Sequence, residues 1–69
     1  MPLTFARTGE ENLIRKIVGK DETKRFLESL GFIVGGSVTV ISELGGNMIL
    51  SVKNSRVALD KTMASRIVI

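Results

Sequence analysis

Residues 37–53 read SVTVISELGGNMILSVK, and this stretch decides the fold. Apolar and polar side chains alternate on both sides of Gly45-Gly46, a pattern typical of half-buried strands. A Gly-Gly pair between two such runs is typical of a two-residue hairpin turn of type I′ or II′. The stretch therefore predicts an antiparallel hairpin with strands at Ser37–Leu44 and Asn47–Lys53. Val38 and Val40 would share one face of the first strand, and Met48, Leu50 and Val52 would share one face of the second.

The segment before the hairpin carries the start and stop signals of a short helix. Asp21 is a suitable N-cap, and the helix is predicted to run to about Leu30. Gly31 would then stand at the C′ position, where a left-handed residue is needed. Phe32 would follow at C″ and pack on Leu27 at C3, as in a Schellman motif.

Shorter elements are predicted on both sides of the helix and the hairpin. They are a strand at Asn12–Val18, a turn at Gly35-Gly36, a strand at Arg56–Leu59, a helical turn at Lys61–Ala64 capped by Asp60, and a strand at Arg66–Ile69. The sum is five short strands, with one helix between the first and the second. Because closing a small sheet removes its open edges, we expect a mainly β, five-stranded SH3-like barrel that forms a single domain over residues 1–69. An OB-like barrel is the alternative.

The composition restricts where the chain works. It has 69 residues, which is one domain at most, and it contains no Cys. Small secreted domains usually depend on disulfides, so the absence of Cys predicts a reducing compartment, the cytoplasm. No apolar run reaches the ~20 residues of a membrane span, and the N-terminus lacks the features of a signal peptide. No insertion into a membrane is therefore expected.

The side chains available argue against an enzyme. The chain has no His and no Cys, so a nucleophile with its activating base cannot be assembled in the usual way. The separated acidic pairs Glu10-Glu11 and Asp21-Glu22 supply fewer converging oxygens than a hard-metal site usually needs. Neither Gly-Gly pair lies in a phosphate-binding motif. The sequence predicts no catalytic residue, no metal site and no cofactor.

The net charge of +3 raises the question of nucleic acid. A basic stripe could be built from Lys24, Arg25, Lys53, Arg56, Lys61 and Arg66. Single-strand binders of this size also place aromatic side chains on their sheet, and this chain has no Tyr and no Trp. We therefore expect weak, salt-sensitive binding and no specific nucleic-acid partner.

Taken together in order, the motifs resemble one family. They are the Pro2-Leu3 start with Gly9-Glu10, the helix end Leu30-Gly31-Phe32, the strand Val38-Thr39-Val40, the Gly45-Gly46 turn, the segment Ser55–Leu59, Ala64, and the closing Ile67-Val68-Ile69. This order is similar to that of FeoA, the small cytoplasmic component of bacterial ferrous iron transport. In the family pattern the helix is followed by Leu-Gly-Leu, a variable residue and Pro-Gly. Here Phe32 replaces the second Leu and Val34 replaces the Pro.

The resemblance implies an SH3-like barrel with an accessory or regulatory role in iron homeostasis. Its implied partner is FeoB, the membrane permease with a cytoplasmic GTP-binding domain. The same domain type resembles the C-terminal module of iron-dependent repressors of the diphtheria-toxin-repressor kind. A regulatory module of that kind is therefore the first alternative, and a small basic nucleic-acid-binding barrel is the second.

A contact surface for a protein partner is predicted where the helix ends. It combines the helix end with the hairpin, and a rim of basic residues surrounds it. The predicted members are Leu27, Leu30, Gly31, Phe32 and Met48, with Lys24 and Arg25 as the rim. So short a chain cannot enclose all its apolar side chains, which is why some of them are expected to meet a partner. An open strand edge would also allow a weak homodimer.

Overall fold

The protein has six strands, one more than the five predicted. The computed structural model describes all residues from 1 to 69. In chain order the elements are a 3-10 turn at Leu3–Phe5, β1 at Glu11–Leu13, β2 at Lys16–Ile17, α1 at Asp21–Ser29, β3 at Ser37–Leu44, β4 at Asn47–Val52, β5 at Ser55–Asp60, α2 at Lys61–Ala64 and β6 at Ile67–Val68. All strand pairs are antiparallel, in two sheets of order β1-β3-β4-β5 and β2-β6.

The extra strand arises because the predicted first strand bends at Ile14. The Ile14 N–H donates to the Gly36 carbonyl at 2.8 Å, and the Ile14 carbonyl accepts from the Gly35 N–H at 2.8 Å. The next residue turns to the other sheet, where the Arg15 N–H donates to the Val68 carbonyl at 2.8 Å. Prediction of one continuous strand at Asn12–Val18 is thus wrong, since β1 pairs with β3 and β2 pairs with β6. The bend therefore carries the chain from the four-stranded sheet to the two-stranded sheet of the barrel.

The hairpin at residues 37–53 is confirmed, and β5 extends it into a meander. The inward positions Val38, Val40, Met48, Leu50 and Val52 are all at most 2% exposed. Gly45 and Gly46 have φ of +55° and +85°, which selects the type I′ turn. A second two-residue turn at Lys53-Asn54, also with positive φ at both residues, leads into β5.

Helix α1 ends in the predicted Schellman motif. The Gly31 N–H donates to the Glu28 carbonyl at 2.9 Å, and the Phe32 N–H donates to the Leu27 carbonyl at 3.0 Å. The φ of Gly31 is +106°, a conformation that L side chains rarely adopt. The start differs from the prediction: Lys20 is the N-cap without a side-chain hydrogen bond, and Asp21 already lies in the first turn. There its carboxylate still suits the positive end of the helix dipole.

The C-terminal elements follow the predicted chemistry. The Asp60 carboxylate accepts from the Met63 N–H at 2.7 Å and caps α2, as predicted. Lys61 ties α2 to the β3–β4 hairpin, because its N–H donates to the Gly46 carbonyl at 3.1 Å and its ammonium lies 3.4 Å from Glu43. Strand β6 is shorter than predicted, and β5 is longer.

One apolar core lies between the two sheets, α1 and α2. It has thirteen buried residues and no buried polar side chain. They are Leu3, Ile14, Ile17, Leu27, Phe32, Val38, Val40, Met48, Leu50, Val52, Leu59, Ala64 and Ile67. Helix α1 adds only Leu27 to the core from its own residues, so it leaves most of its surface in solvent.

Candidate functional site

Three residues predicted as partner contacts belong to the core. Leu27, Phe32 and Met48 have 0% of their surface exposed. Phe32 is the largest fully buried side chain, and the Schellman motif directs it inward beside Leu27. A side chain without exposed surface cannot touch a partner of the folded domain. The assignment of these three residues to a contact surface is therefore corrected: they hold the barrel together.

The helix end meets the hairpin at the C-terminal end of β4, far from the Gly45-Gly46 turn. Gly31 lies beside the far end of β4, because a Cβ on Gly31 would stand 3.5 Å from Cγ2 of Val52 and 3.6 Å from Cδ of Lys53. The Gly45-Gly46 turn lies at the other end of the same strand. At about 3.3 Å per residue, the length of β4 separates the two features by roughly 17 Å.

Exposed apolar side chains nevertheless gather at the helix end. Phe26 is 47% exposed, Ile33 is 41% exposed and Val34 is 58% exposed, while Leu30 is half-buried against the core. Phe26 and Leu30 are four residues apart on one flank of α1 and so neighbour each other. We call these four residues, which lie in or directly after the last turn of α1, the helix-end surface.

The loop that carries part of the helix-end surface is firmly held. The Gly36 N–H donates to the Ile33 carbonyl at 2.9 Å, closing a turn over Val34 and Gly35. The Gly35 N–H donates to Ile14 at 2.8 Å and fixes that turn to the bend between β1 and β2. Val34 is therefore presented to solvent on an ordered turn, and little conformational entropy would be lost when a partner covers it.

Basic residues border the helix-end surface. Arg25 is exposed, Lys24 is half-buried on the flank of α1 opposite Phe26, and the stem of Lys53 lies beside Gly31. None of these three residues forms an ion pair within the chain. Their charges are therefore available to an acidic partner, and the role of Lys24 and Arg25 as a rim stays a prediction.

The structure offers little for other kinds of chemistry. No group of three or more His, Cys, Asp or Glu side chains is arranged to hold a metal ion. The surface has no pocket. Neither α1 nor α2 has the length and apolar content that a membrane crossing requires.

The sequence contained partial signals for the residues that the prediction missed. Phe26 and Leu27 are adjacent and lie about 100° apart around α1, so a narrow contact with the core buries only one of them, and the structure buries Leu27. Ile33 and Val34 stand directly before the Gly35-Gly36 pair, and the turn that this pair predicts in fact runs over Val34 and Gly35, which leaves both apolar side chains at the surface. Leu44, which is 74% exposed, likewise precedes the other Gly-Gly turn.

Comparison with known proteins finds a family model and a relative that match almost the whole chain. A family model described as the FeoA domain matches residues 1–69. A relative from Methanocaldococcus jannaschii, provisionally named Fe(2+) transport protein A, is 34% identical over 68 residues, which cover 99% of this chain and 83% of the relative. These matches confirm the resemblance stated from the sequence motifs.

Solved structures agree with the fold. A crystal structure of an iron uptake regulatory protein, FeoA, has a TM-score of 0.87 at 29% identity, covering 96% of this chain and 88% of that one. Zinc-complexed FeoA from Stenotrophomonas maltophilia, described as a prokaryotic SH3 domain protein, has a TM-score of 0.85 at 24% identity over 99% of this chain and 87% of that one. A manganese-dependent transcriptional repressor reaches 0.85 at 20% identity, over 97% of this chain but 39% of the repressor. The predicted SH3-like architecture is confirmed, and the OB-like alternative is set aside.

Proposed function

This chain belongs to the FeoA domain family, and from that premise we propose that it assists ferrous iron uptake as an accessory protein that binds a partner and catalyses no reaction. The family match over residues 1–69 carries this proposal. The Methanocaldococcus jannaschii relative bears the name of an Fe(2+) transport protein, and the Stenotrophomonas maltophilia structure is discussed as a ferrous iron transport activating factor.

The partner we propose is a FeoB-like permease, met in the cytoplasm at its GTP-binding domain. The helix-end surface supports this assignment, since Phe26, Ile33 and Val34 expose apolar area that the fold itself does not use. Apolar residues with a polar or charged rim are typical of protein interfaces. The free charges of Arg25 and Lys53 favour an acidic border on the partner.

The two alternative functions have weaker support. Likeness to the manganese-dependent repressor, at 20% identity, extends to the fold alone. For nucleic acid, only Phe5 and Phe26 among the aromatic residues are exposed, at 70% and 47%, since Phe32 is buried. Two Phe side chains, one on the 3-10 turn and one on α1, do not form a stacking platform on the sheet.

A binding experiment with matched variants tests the proposal. Wild-type protein and Val34→Asp are titrated against the purified GTP-binding domain of the permease, and both are compared in pull-downs of the full-length permease. We expect Val34→Asp to weaken binding by about tenfold or more, because it puts a charge among the apolar residues of the proposed contact. Leu44→Asp is the matched control, since Leu44 is an exposed apolar residue beyond the other end of β4.

The outcomes test the contact surface and the identity of the partner separately. Equal losses for Val34→Asp and Leu44→Asp, with both variants folded, would refute the helix-end surface as the contact. Absence of binding by the wild-type protein to both the isolated domain and the full-length permease would refute the proposed partner. Arg25→Glu should slow association more than it speeds dissociation, because border charges act mainly on the encounter of the two proteins.

A further inference from the structure

The four-stranded sheet ends in an open edge at β5. Strand β5 is six residues long and pairs only with β4. At the opposite edge, β1 has only three residues and then bends away into the other sheet. Open edges present unpaired N–H and C=O groups that another strand can meet. The β5 edge is therefore the longer of the two free edges of this sheet.

The pairing pattern identifies which groups on β5 are free. Backbone groups of successive strand residues point alternately to the two sides of the strand. The Lys61 N–H donates to the carbonyl of Gly46, which directly precedes β4, so Leu59 and Val57, two and four residues earlier, also direct their backbone groups to β4. The groups of Arg56 and Ala58 consequently point away from the sheet. No hydrogen bond outside the sheet ladders involves either of these two residues.

The side chains along this edge have alternating character. Arg56, Ala58 and Asp60 are all exposed, and all three lie on the outer face of the sheet. Neither Arg56 nor Asp60 forms an ion pair within the chain. One Asp60 oxygen caps α2, which leaves the other oxygen of the carboxylate free. The edge thus carries a positive end, a small neutral centre and a negative end.

We propose that this edge binds a second copy of the chain, with β5 of the two subunits paired antiparallel around a two-fold axis at Ala58. In this register Ala58 faces the partner's Ala58, and Arg56 faces Asp60 of the partner subunit. The two-fold axis repeats the second contact, so the dimer gains two ion pairs of opposite charge across the strands. The two sheets then join into one sheet of eight strands.

The charge pattern selects both the occupant and the register. A register centred on Val57 would place Arg56 opposite the partner's Ala58 and leave both charges of each edge unpaired. An unrelated strand would place a negative charge opposite Arg56 and a positive charge opposite Asp60 only by coincidence. An antiparallel copy of β5 places both charges there by symmetry. The contact is narrow, with few backbone hydrogen bonds, so the dimer is weak and forms at high protein concentration.

Sedimentation equilibrium over a concentration series up to about 1 mM at low salt tests the pairing. We expect a reversible monomer–dimer equilibrium that weakens as salt is added. Ala58→Lys, which puts two like charges on the axis, should weaken the dimer by about tenfold or more. Asp60→Asn should weaken it by about threefold or more while keeping the α2 cap, because Asn is as good an N-cap as Asp.

Ser42→Lys is the control, because Ser42 is exposed on the same sheet face but lies on β3, away from the edge. It should leave the equilibrium unchanged. A protein that stays monomeric throughout the series overturns the proposal, as does a dimer that Ala58→Lys leaves intact or that Ser42→Lys weakens equally. If the protein stays monomeric and Ala58→Lys abolishes its binding to the permease, the β5 edge pairs with a strand of the permease. That result would also refute self-pairing.

Discussion

Gly31→Ala isolates the backbone requirement of the helix end. A Cβ at this position would meet Val52 and Lys53 at 3.5 Å or more, which is ordinary van der Waals contact, so the substitution creates no steric clash. The remaining cost is conformational, since φ of +106° is strained for any residue with a side chain. Strain of this kind costs about 1–2 kcal/mol. A chain of this size has a total stability of about 3–10 kcal/mol, so the variant still folds.

Urea denaturation followed by circular dichroism measures this cost. With an m value of about 1 kcal/mol per M, the midpoint should fall by about 1–2 M and the slope should not change. Gly31→Asn is the control, because Asn enters the left-handed region more readily than Ala and should lose less stability. A Gly31→Ala midpoint equal to that of the wild type would refute the reasoning. So would an equal loss in both variants, because the loss would then come from the added side chain and not from φ.

Three further outcomes are expected. Asp60→Ala should cost about 1 kcal/mol in the same urea assay, because it removes the cap on the Met63 N–H, whereas Asp60→Asn should cost little; equal losses would contradict the capping role. Anaerobic calorimetric titration with ferrous iron and with zinc should give no stoichiometric micromolar site, since three suitable ligands do not converge anywhere in the structure. Binding to DNA or RNA should be weak and should disappear at moderate salt, and sequence-selective gel shifts at physiological salt would favour the repressor-like alternative.

Local motifs were the part of the fold that the sequence determined well. The Schellman motif depends on Leu27 to Phe32, the type I′ turn on Gly45 and Gly46, and the α2 cap on Asp60 and Met63. Each of these motifs involves residues at most five positions apart. Short-range hydrogen bonds and the conformational freedom of Gly are readable from a few letters, so no knowledge of the tertiary structure was needed.

Features that depend on distant parts of the chain were predicted less well. The bend at Ile14 needs Gly35, Gly36 and Val68 as hydrogen-bond partners, and the segment from 12 to 18 does not reveal them. The division between core and surface failed for Leu27, Phe32 and Met48 for the same reason. An alternating pattern shows which side chains share a face, but only the position of the other elements shows whether that face is covered.

The separation of the β2–β6 pair in sequence has a consequence for the order of folding. Strands β3, β4 and β5 follow one another through two-residue turns, whereas Lys16 pairs with Val68 across most of the chain. Closing a loop of about 50 residues instead of a turn of about 4 costs roughly 2 kcal/mol more in chain entropy. We therefore expect the meander to form in the transition state, and β6 to dock after the barrier. In stopped-flow chevron measurements Val40→Ala should mainly slow folding and Ile67→Val should mainly speed unfolding; the reverse assignment would place the β2–β6 contact first.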